Sequence, residues 1–220
     1  MRSGATARGL PARLPATVAA AMKPWVRVLV AAVVLGGRGA RPVAADTPAT
    51  ESPALTQVLG LFAARHQGHV AFTEVHELAM LKKPVASSGE LLYVAPDRLE
   101  KRTLAPRPES LVLARGILTA QRGHHQYVMA LSAAPQVVPF VESVRATLAG
   151  DRPALERYFT IRFEGDLEHW RLTLIPRDAA IAKSVERLLM VGERDAIHTV
   201  EVRESDGDRS LLTLGPELPP

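Results

Sequence analysis

Two residues capable of acid–base chemistry stand two positions apart in an alternating stretch. Glu74 and His76 lie in "HVAFTEVHELAML", where Val70 and Phe72 occupy the same parity. Because successive side chains of a β-strand point to opposite faces, Glu74 and His76 share a face with these apolar residues. They interrupt that face, so its middle is expected to be wet or to lie near an opening. A carboxylate beside an imidazole can serve as a general base, so a lipid hydrolase is one hypothesis.

Other signs of catalysis are weak. "SSG" at 87–89 lacks the G-x-S-x-G pattern of a nucleophile elbow. The seven histidines have no recognised metal-ligand spacing, and there is no cysteine for a thiolate site or a disulfide. "SDGD" at 205–208 resembles part of a calcium loop, but the remaining ligands are missing, so a hairpin turn is favoured. We therefore predict a protein without catalytic residues, metal or cofactor.

The first 45 residues differ in character from the rest. They hold seven basic residues and no acidic one, so the remaining chain has 20 basic and 23 acidic residues. Lys23 and Arg27 precede the apolar run "VLVAAVVL", and "VAAD" ends in small residues before Asp46, which is the layout of a secretory signal. We predict a leader over 1–45, with Met22 as a candidate start and cleavage after Ala45. An uncleaved membrane anchor is the alternative.

The charge and length of the remaining chain limit its function. Residues 46–220 are predicted to form a single domain, since about 175 residues can bury a real core. Their slight negative charge argues against nucleic acid, which is bound through basic surfaces. No further apolar run reaches the roughly 20 residues of a membrane span. These features favour a periplasmic protein.

The elements after residue 51 alternate between helical and strand patterns. A helix is predicted from Ser52-Pro53, since serine caps a helix and proline suits its first turn, and Gly68 is its expected stop. A second helix carries Val138, Val141, Val144 and Leu148, and Asp151 caps a third. Strands separated by turn residues are predicted at 69–81, 87–94, 99–104, 110–114, 117–122, 125–131, 160–164, 169–175, 185–191, 196–204 and 210–214. Residues 181–190 also fit a helix, and this alternative stays open.

These elements predict an α+β fold. A single curved antiparallel sheet forms an incomplete β-barrel, and helices cover it because its apolar face must be buried. Such a fold suits an apolar cavity. The residues predicted to line the cavity are Val70, Phe72, Leu91, Tyr93, Leu99, Leu111, Leu113 and Leu118; those predicted to form its lid are Leu59, Phe62, Phe140 and Val144. That these residues pack only against one another, as an ordinary core, is the alternative.

The order of several short motifs resembles the LolA family. They are "AFTE" at 71–74, "GELLYVAPDRL" at 89–99, "RGIL" at 115–118, "HWRLTLIPRD" at 169–178 and "IHTVEVRESDGDRS" at 197–210. LolA proteins are periplasmic carriers of lipoproteins between the inner and outer membranes. The resemblance implies an incomplete barrel under helices, a cavity for acyl chains and no catalysis. It also implies that Leu99 lies at the edge of the cavity, at a site used in cargo transfer.

The resemblance also suggests partners. It implies a monomer that contacts membranes transiently, is loaded by an inner-membrane transporter and unloads to an outer-membrane acceptor. The related acceptor LolB is a lipoprotein, and this chain lacks the cysteine that would carry a lipid. LolA proteins typically have an arginine before the proline of "VAPD", which helps to latch the lid, but this chain has Ala95. A periplasmic protein that binds a partner at the sheet edge is a further hypothesis.

Overall fold

The computed structural model describes residues 52–133 and 138–219. The predicted leader, Met22 and the cleavage site after Ala45 lie outside these residues. The helices are α1 (Pro53–Ala64), α2 (Val138–Leu148), α3 (Arg152–Tyr158) and α4 (Ala179–Ala182), with a 3₁₀ turn at Leu131–Ala133. The strands are β1 (Gln67–Glu77), β2 (Val85–Val94), β3 (Arg98–Ala105), β4 (Glu109–Ala114), β5 (Ile117–Arg122), β6 (His125–Ala130), β7 (Phe159–Gly165), β8 (Trp170–Pro176), β9 (Val185–Glu193), β10 (Ala196–Glu204) and β11 (Arg209–Glu217).

All eleven strands form one antiparallel sheet in the order β6-β5-β4-β3-β2-β1-β11-β10-β9-β8-β7. Within the described residues, β6 and β7 each pair on one side only, so the sheet is not closed. Strand β1 pairs with both β2 and β11 and thereby joins the first half of the chain to the last. The predicted incomplete β-barrel with helices is confirmed.

Local signals explain where the helices begin. The Ser52 hydroxyl accepts a hydrogen bond from the Leu55 amide at 3.3 Å, and Pro53 occupies the first turn of α1. Asp151 caps α3 in the same way through the Ala154 amide at 3.1 Å. The expected stop of α1 at Gly68 is wrong: Arg65 is already extended, and Gly68 belongs to β1, which pairs with β2.

Strand β1 is shorter at its far end than its alternation suggests. It ends at Glu77, and residues 78–84 form a turn in which the Leu81 amide donates to the Leu78 carbonyl at 2.8 Å. Met80 is therefore not on the apolar face of β1; it is 83% exposed. The helical alternative for 181–190 is also wrong beyond Ala182, because β9 pairs with β8 and β10.

Two apolar clusters bind the helices to the concave face of the sheet. The larger lies under α1 and α3, where the rings of Phe62 and Trp170 meet edge-on. The smaller lies under α2, where Val141 packs with residues of β4 and β5 such as Leu111 and Leu118. Between the two clusters, side chains do not fill the space under the helices at the central strands. This space is a cavity.

Candidate functional site

An apolar cavity of about 830 Å³ lies between the concave face of the sheet and helices α1 and α2. Ten of the predicted residues line it: Phe62, Val70, Leu91, Tyr93, Leu99, Leu111, Leu113, Leu118, Phe140 and Val144. Its volume falls within the range typical of pockets for small molecules. The structure thus brings together residues from α1, α2 and five strands.

Strand register explains why these residues meet. Tyr93 lies opposite Leu99, Leu99 opposite Leu113, and Leu113 opposite Leu118. Directly opposed residues share a face of the sheet, so this row forms one apolar band across β2 to β5. Val70 lies opposite Leu91 and extends the band onto β1. Burial raises the pKa of the Tyr93 phenol.

The other two predicted residues lie away from the cavity. Phe72 is buried, and its ring centre lies 5.0 Å from the Lys101 ammonium nitrogen. Leu59 is buried in the larger apolar cluster under α1. Neither belongs to the lining, so they act as supporting core residues.

The second half of the sheet contributes lining residues that sequence reasoning missed. They are Leu188 and Met190 on β9, Val200 and Val202 on β10, and Leu212 and Leu214 on β11. Alternation on these strands was visible, but it does not show that β11 pairs with β1. That pairing places Leu214 opposite Phe72 and closes the far wall of the cavity.

One end of the cavity contains a buried ion pair. Glu74 is only 4% exposed, so the middle of β1 is not the wet surface that was one of two expectations; it lies instead in the cavity lining. Its Oε1 lies 2.6 Å from the Lys101 ammonium, the Ser87 hydroxyl donates to its Oε2 at 2.8 Å, and His76 Nε2 lies 3.6 Å from that oxygen. The carboxylate is therefore surrounded by donors.

The environment of Glu74 determines its charge. Burial alone would raise the pKa of this carboxyl, but the nearby His76 imidazole and the Lys101 ammonium outweigh it and lower the pKa from 4.5 to about 2. A general base works best when its pKa lies near the working pH. Glu74 is thus a poor base, and the geometry argues against the hydrolase hypothesis.

Gly89 lies on β2, between the strands that carry Lys101 and Glu74. It lies opposite Phe72 on β1 and Thr103 on β3. A Cβ at this glycine would come within 1.9 Å of the Arg102 carbonyl oxygen. Only glycine therefore fits here without a shift of the β3 backbone.

A second charged cluster lies at the opposite end of the cavity. Arg65, directly after α1, donates to the Asp195 carbonyl at 3.1 Å and pairs with the Glu217 carboxylate. All three residues belong to the lining. Because Arg65 ties α1 to the ends of β9 and β11, it fastens the helix to the sheet. Ala95, where LolA proteins typically have an arginine, donates its amide to the His66 carbonyl at 2.8 Å.

The acidic turn after β10 is explained by its own hydrogen bonds. Glu204, Asp206 and Asp208 place carboxylate oxygens within 4.8 Å of one another. Asp208 accepts from the Ala79 amide at 2.9 Å, and Asp206 accepts from the Asp208 amide at 3.1 Å. These bonds stabilise the turn and bind it to the turn after β1.

A family match decides what kind of protein carries this cavity. Residues 44–216 match the family described as "Outer membrane lipoprotein carrier protein LolA-like". The chain belongs to the LolA-like family. This match confirms the resemblance inferred from the motifs. The family is one of carriers, and the missing arginine before Pro96 marks this chain as a divergent member.

Solved structures with similar folds are distant in sequence. A LolA superfamily protein from Nitrosomonas europaea shares 10% identity, with 76% of this chain and 96% of that chain covered and a TM-score of 0.43. The lipoprotein LppX from Mycobacterium tuberculosis shares 12% identity over 77% of this chain and 98% of that chain, at a TM-score of 0.41. No match was found among proteins with curated descriptions.

Within residues 52–133 and 138–219, each helix is too short or too polar to cross a membrane.

Proposed function

We propose that this LolA-like protein is a periplasmic carrier that binds a lipidated or amphipathic cargo in its cavity and moves it between the inner and outer membranes. The observation that carries the proposal is the 830 Å³ cavity with its largely apolar lining. Burial of an acyl chain contributes about 0.8 kcal/mol per methylene, so a long chain can be retained without a covalent bond. A covalent or catalytic step is not required.

Release of such a cargo requires the helices to move. Arg65 is about a third exposed, and ion pairs of this kind contribute little to stability. Its bonds to Asp195 and Glu217 can therefore open at small cost, which suits a latch. In this proposal Arg65 takes the part of the arginine that Ala95 replaces.

Transient membrane contact has a candidate surface in the turn at 78–84. Met80 and Leu81 are 83% and 49% exposed, and Lys82 and Lys83 follow them. The bond from the Ala79 amide to Asp208 holds this turn in place. Each basic residue near an anionic lipid surface contributes about 1 kcal/mol, and the apolar tips can enter the interface.

The distribution of charge supports contact between the membrane and the end of the sheet that carries Met80. The strand connections at the Met80 end contain five basic residues (Lys82, Lys83, Arg107, Arg177, Lys183) against three acidic ones (Asp178, Asp206, Asp208), whereas those at the opposite end contain two (Arg115, Arg194) against four (Asp97, Asp166, Glu168, Asp195). An anionic membrane therefore attracts the Met80 end.

Binding of a partner peptide is a second candidate function. Strand β6 is an edge strand whose far side is unpaired in the described residues, and its Val128 is 64% exposed. An extended peptide can add to such an edge through main-chain hydrogen bonds. An inner-membrane transporter that loads the cargo and an outer-membrane acceptor that receives it are further proposed partners.

Recovery of the natural cargo tests the carrier proposal. The full chain is expressed in a bacterial host with a periplasm, the periplasmic fraction is purified, and native mass spectrometry is combined with organic extraction. We expect a chain that begins at Asp46 and carries an extractable adduct with an acyl or other long apolar chain. A bare mass that persists after incubation with lipids and acylated peptides would contradict the carrier function, and recovery from the cytoplasm alone would contradict the location.

A further inference from the structure

The ion pair between Glu74 and Lys101 is unusual for its position. Both side chains line the cavity, yet they are only 5% and 10% exposed. Three of their four neighbours across the strands are apolar: Lys101 lies between Leu91 and Leu111, and Glu74 lies between Leu212 and Ser87. The cavity is thus a largely apolar chamber with this charged pair at one end and the Arg65 cluster at the other.

Stability alone gives little reason for this pair. Transfer of two charges into an apolar interior costs several kcal/mol per ion, and well-packed apolar residues of similar volume often serve a fold equally well. The pair also faces the cavity and not a packed layer. A group that enters the cavity therefore gives a better explanation for it.

Further polar groups lie beside Glu74. Ser87 donates to the carboxylate, and His76 follows on the same face of β1. Ser210 lies opposite His76 on β11, is 1% exposed, and its hydroxyl has no hydrogen-bond partner among the described residues. Polar groups therefore surround the pair at this end of the sheet, and of these residues Glu74 and Lys101 belong to the cavity lining.

We propose that Glu74 and Lys101 receive the uncharged, hydrogen-bonding head group of an amphipath, such as a hydroxyl or an amide, while its apolar chain lies along Val70, Leu91 and Leu99. This inference rests on the carrier function proposed above. A hydroxyl both donates and accepts, so it can donate to the carboxylate and accept from the ammonium. The head group then shares the hydrogen bonds of the pair without breaking it.

Charge balance excludes the other classes of head group. The carboxylate and the ammonium neutralise each other, so a carboxylate, phosphate or amine head group would bring a net charge into a largely apolar chamber. An unpaired buried charge is costly. The chamber extends from Glu74 to Gly68 along β1, six residues or roughly 20 Å of strand, which leaves room for a long chain.

Competition between ligands that share one chain tests the head-group preference. Monopalmitoylglycerol, palmitate and hexadecylamine are offered together to the full chain recovered from the periplasm, and native mass spectrometry measures their occupancy. We expect monopalmitoylglycerol to bind at least about tenfold more tightly than either charged ligand, which corresponds to about 1.4 kcal/mol. Equal occupancy, or preference for a charged ligand, would overturn the inference.

Matched variants show whether the pair itself sets this preference. Glu74→Gln removes the negative charge beside Lys101, so palmitate should become the favoured ligand. Lys101→Gln removes the positive charge beside Glu74, so hexadecylamine should become the favoured ligand. The double variant carries neither charge and should again favour the neutral ligand. A purely structural role would leave the order of ligands unchanged in all three variants and would overturn the inference.

The outcomes separate this inference from the carrier proposal. If none of the three ligands binds to the wild-type chain, both fail. If they bind with equal affinity, the carrier function stands and the head-group site is refuted. The wild-type ranking decides the matter by itself if a variant does not fold, which thermal unfolding detects.

Discussion

The ring of Phe62 on α1 meets the indole of Trp170 on β8 edge-on, with 5.9 Å between the ring centres. Phe62 is 1% exposed and also lines the cavity, so one side chain both anchors the helix and shapes the chamber. The indole N–H donates to the Arg194 carbonyl at 3.0 Å, which fixes the orientation of the ring. Phe62 therefore links the packing of α1 on the sheet to the shape of the cavity.

Truncation of this anchor should destabilise the protein. Phe62→Ala removes a buried aromatic side chain and is expected to cost about 3–5 kcal/mol in free energy of unfolding. Urea unfolding of a chain that begins at Asp46, followed by tryptophan fluorescence, measures it, since Trp170 is the only tryptophan in residues 46–220. Phe72→Ala truncates a second buried ring, which lies outside the lining, and should destabilise the protein similarly.

The pKa of Glu74 predicts how stability depends on acid. The folded pKa of about 2 lies below the ordinary 4.5 of an unfolded chain. Glu74 therefore contributes stability that is fully present above about pH 4.5 and is lost as the pH falls through about 2. The full contribution is about 3 kcal/mol. The difference in unfolding free energy between wild type and Glu74→Gln should shrink over this window; a constant difference would contradict the assignment.

Loss of the latch should speed cargo exchange with little effect on folding. Arg65→Ala removes the bonds to Asp195 and Glu217 and should lower the stability by about 1 kcal/mol or less. Stopped-flow displacement of a fluorescent fatty acyl ligand should show faster release than wild type. Arg194→Ala, which breaks the exposed pair with Glu168, is the control and should leave the release rate unchanged. Equal rates in all three proteins would refute the latch.

A large side chain directed into the cavity should compete with cargo. Leu99→Trp fills space because Leu99 is only partly buried and belongs to the lining. Val112→Trp is its control, since strand alternation directs Val112 away from the face of Leu111 and Leu113, and Val112 does not belong to the lining. We expect tenfold or greater loss of acyl-ligand affinity for Leu99→Trp alone, measured by calorimetric titration. Similar affinities of the two variants would show that ligands bind elsewhere.

Charge reversal and polar substitution should separate the two parts of membrane contact. Met80→Asp with Leu81→Asp should abolish sedimentation with vesicles of mixed neutral and anionic phospholipids. Lys82→Glu with Lys83→Glu should weaken only the part of vesicle binding that decreases when salt is added. Val128→Asp alters an equally exposed apolar residue on β6 and serves as control. If Val128→Asp reduces binding as strongly as the Met80 and Leu81 change, the contact is non-specific.

Much of the local structure could be predicted because its causes are local. Ser52 and Asp151 cap helices with hydrogen bonds that span three residues. The glycine locates the turn at Arg115-Gly116, but the type of the turn does not follow from its residues, since Arg115 as well as Gly116 adopts a positive φ, 51° and 70°. Alternation likewise identified the residues of β2 to β5 that line the cavity, since the period of a strand is a property of the chain itself.

The tertiary structure alone decided the rest, because it depends on residues distant in sequence. Lys101 reaches Glu74 only where β1, β2 and β3 align across Gly89, and Arg65 meets Glu217 only because β11 returns to pair with β1. Strand register and order arise from the packing of the whole chain, and no short window of sequence contains them. The sequence by itself therefore determined a helix-covered sheet with an apolar concave face, whereas the buried charge pair, the latch and the closed far wall required the assembled fold.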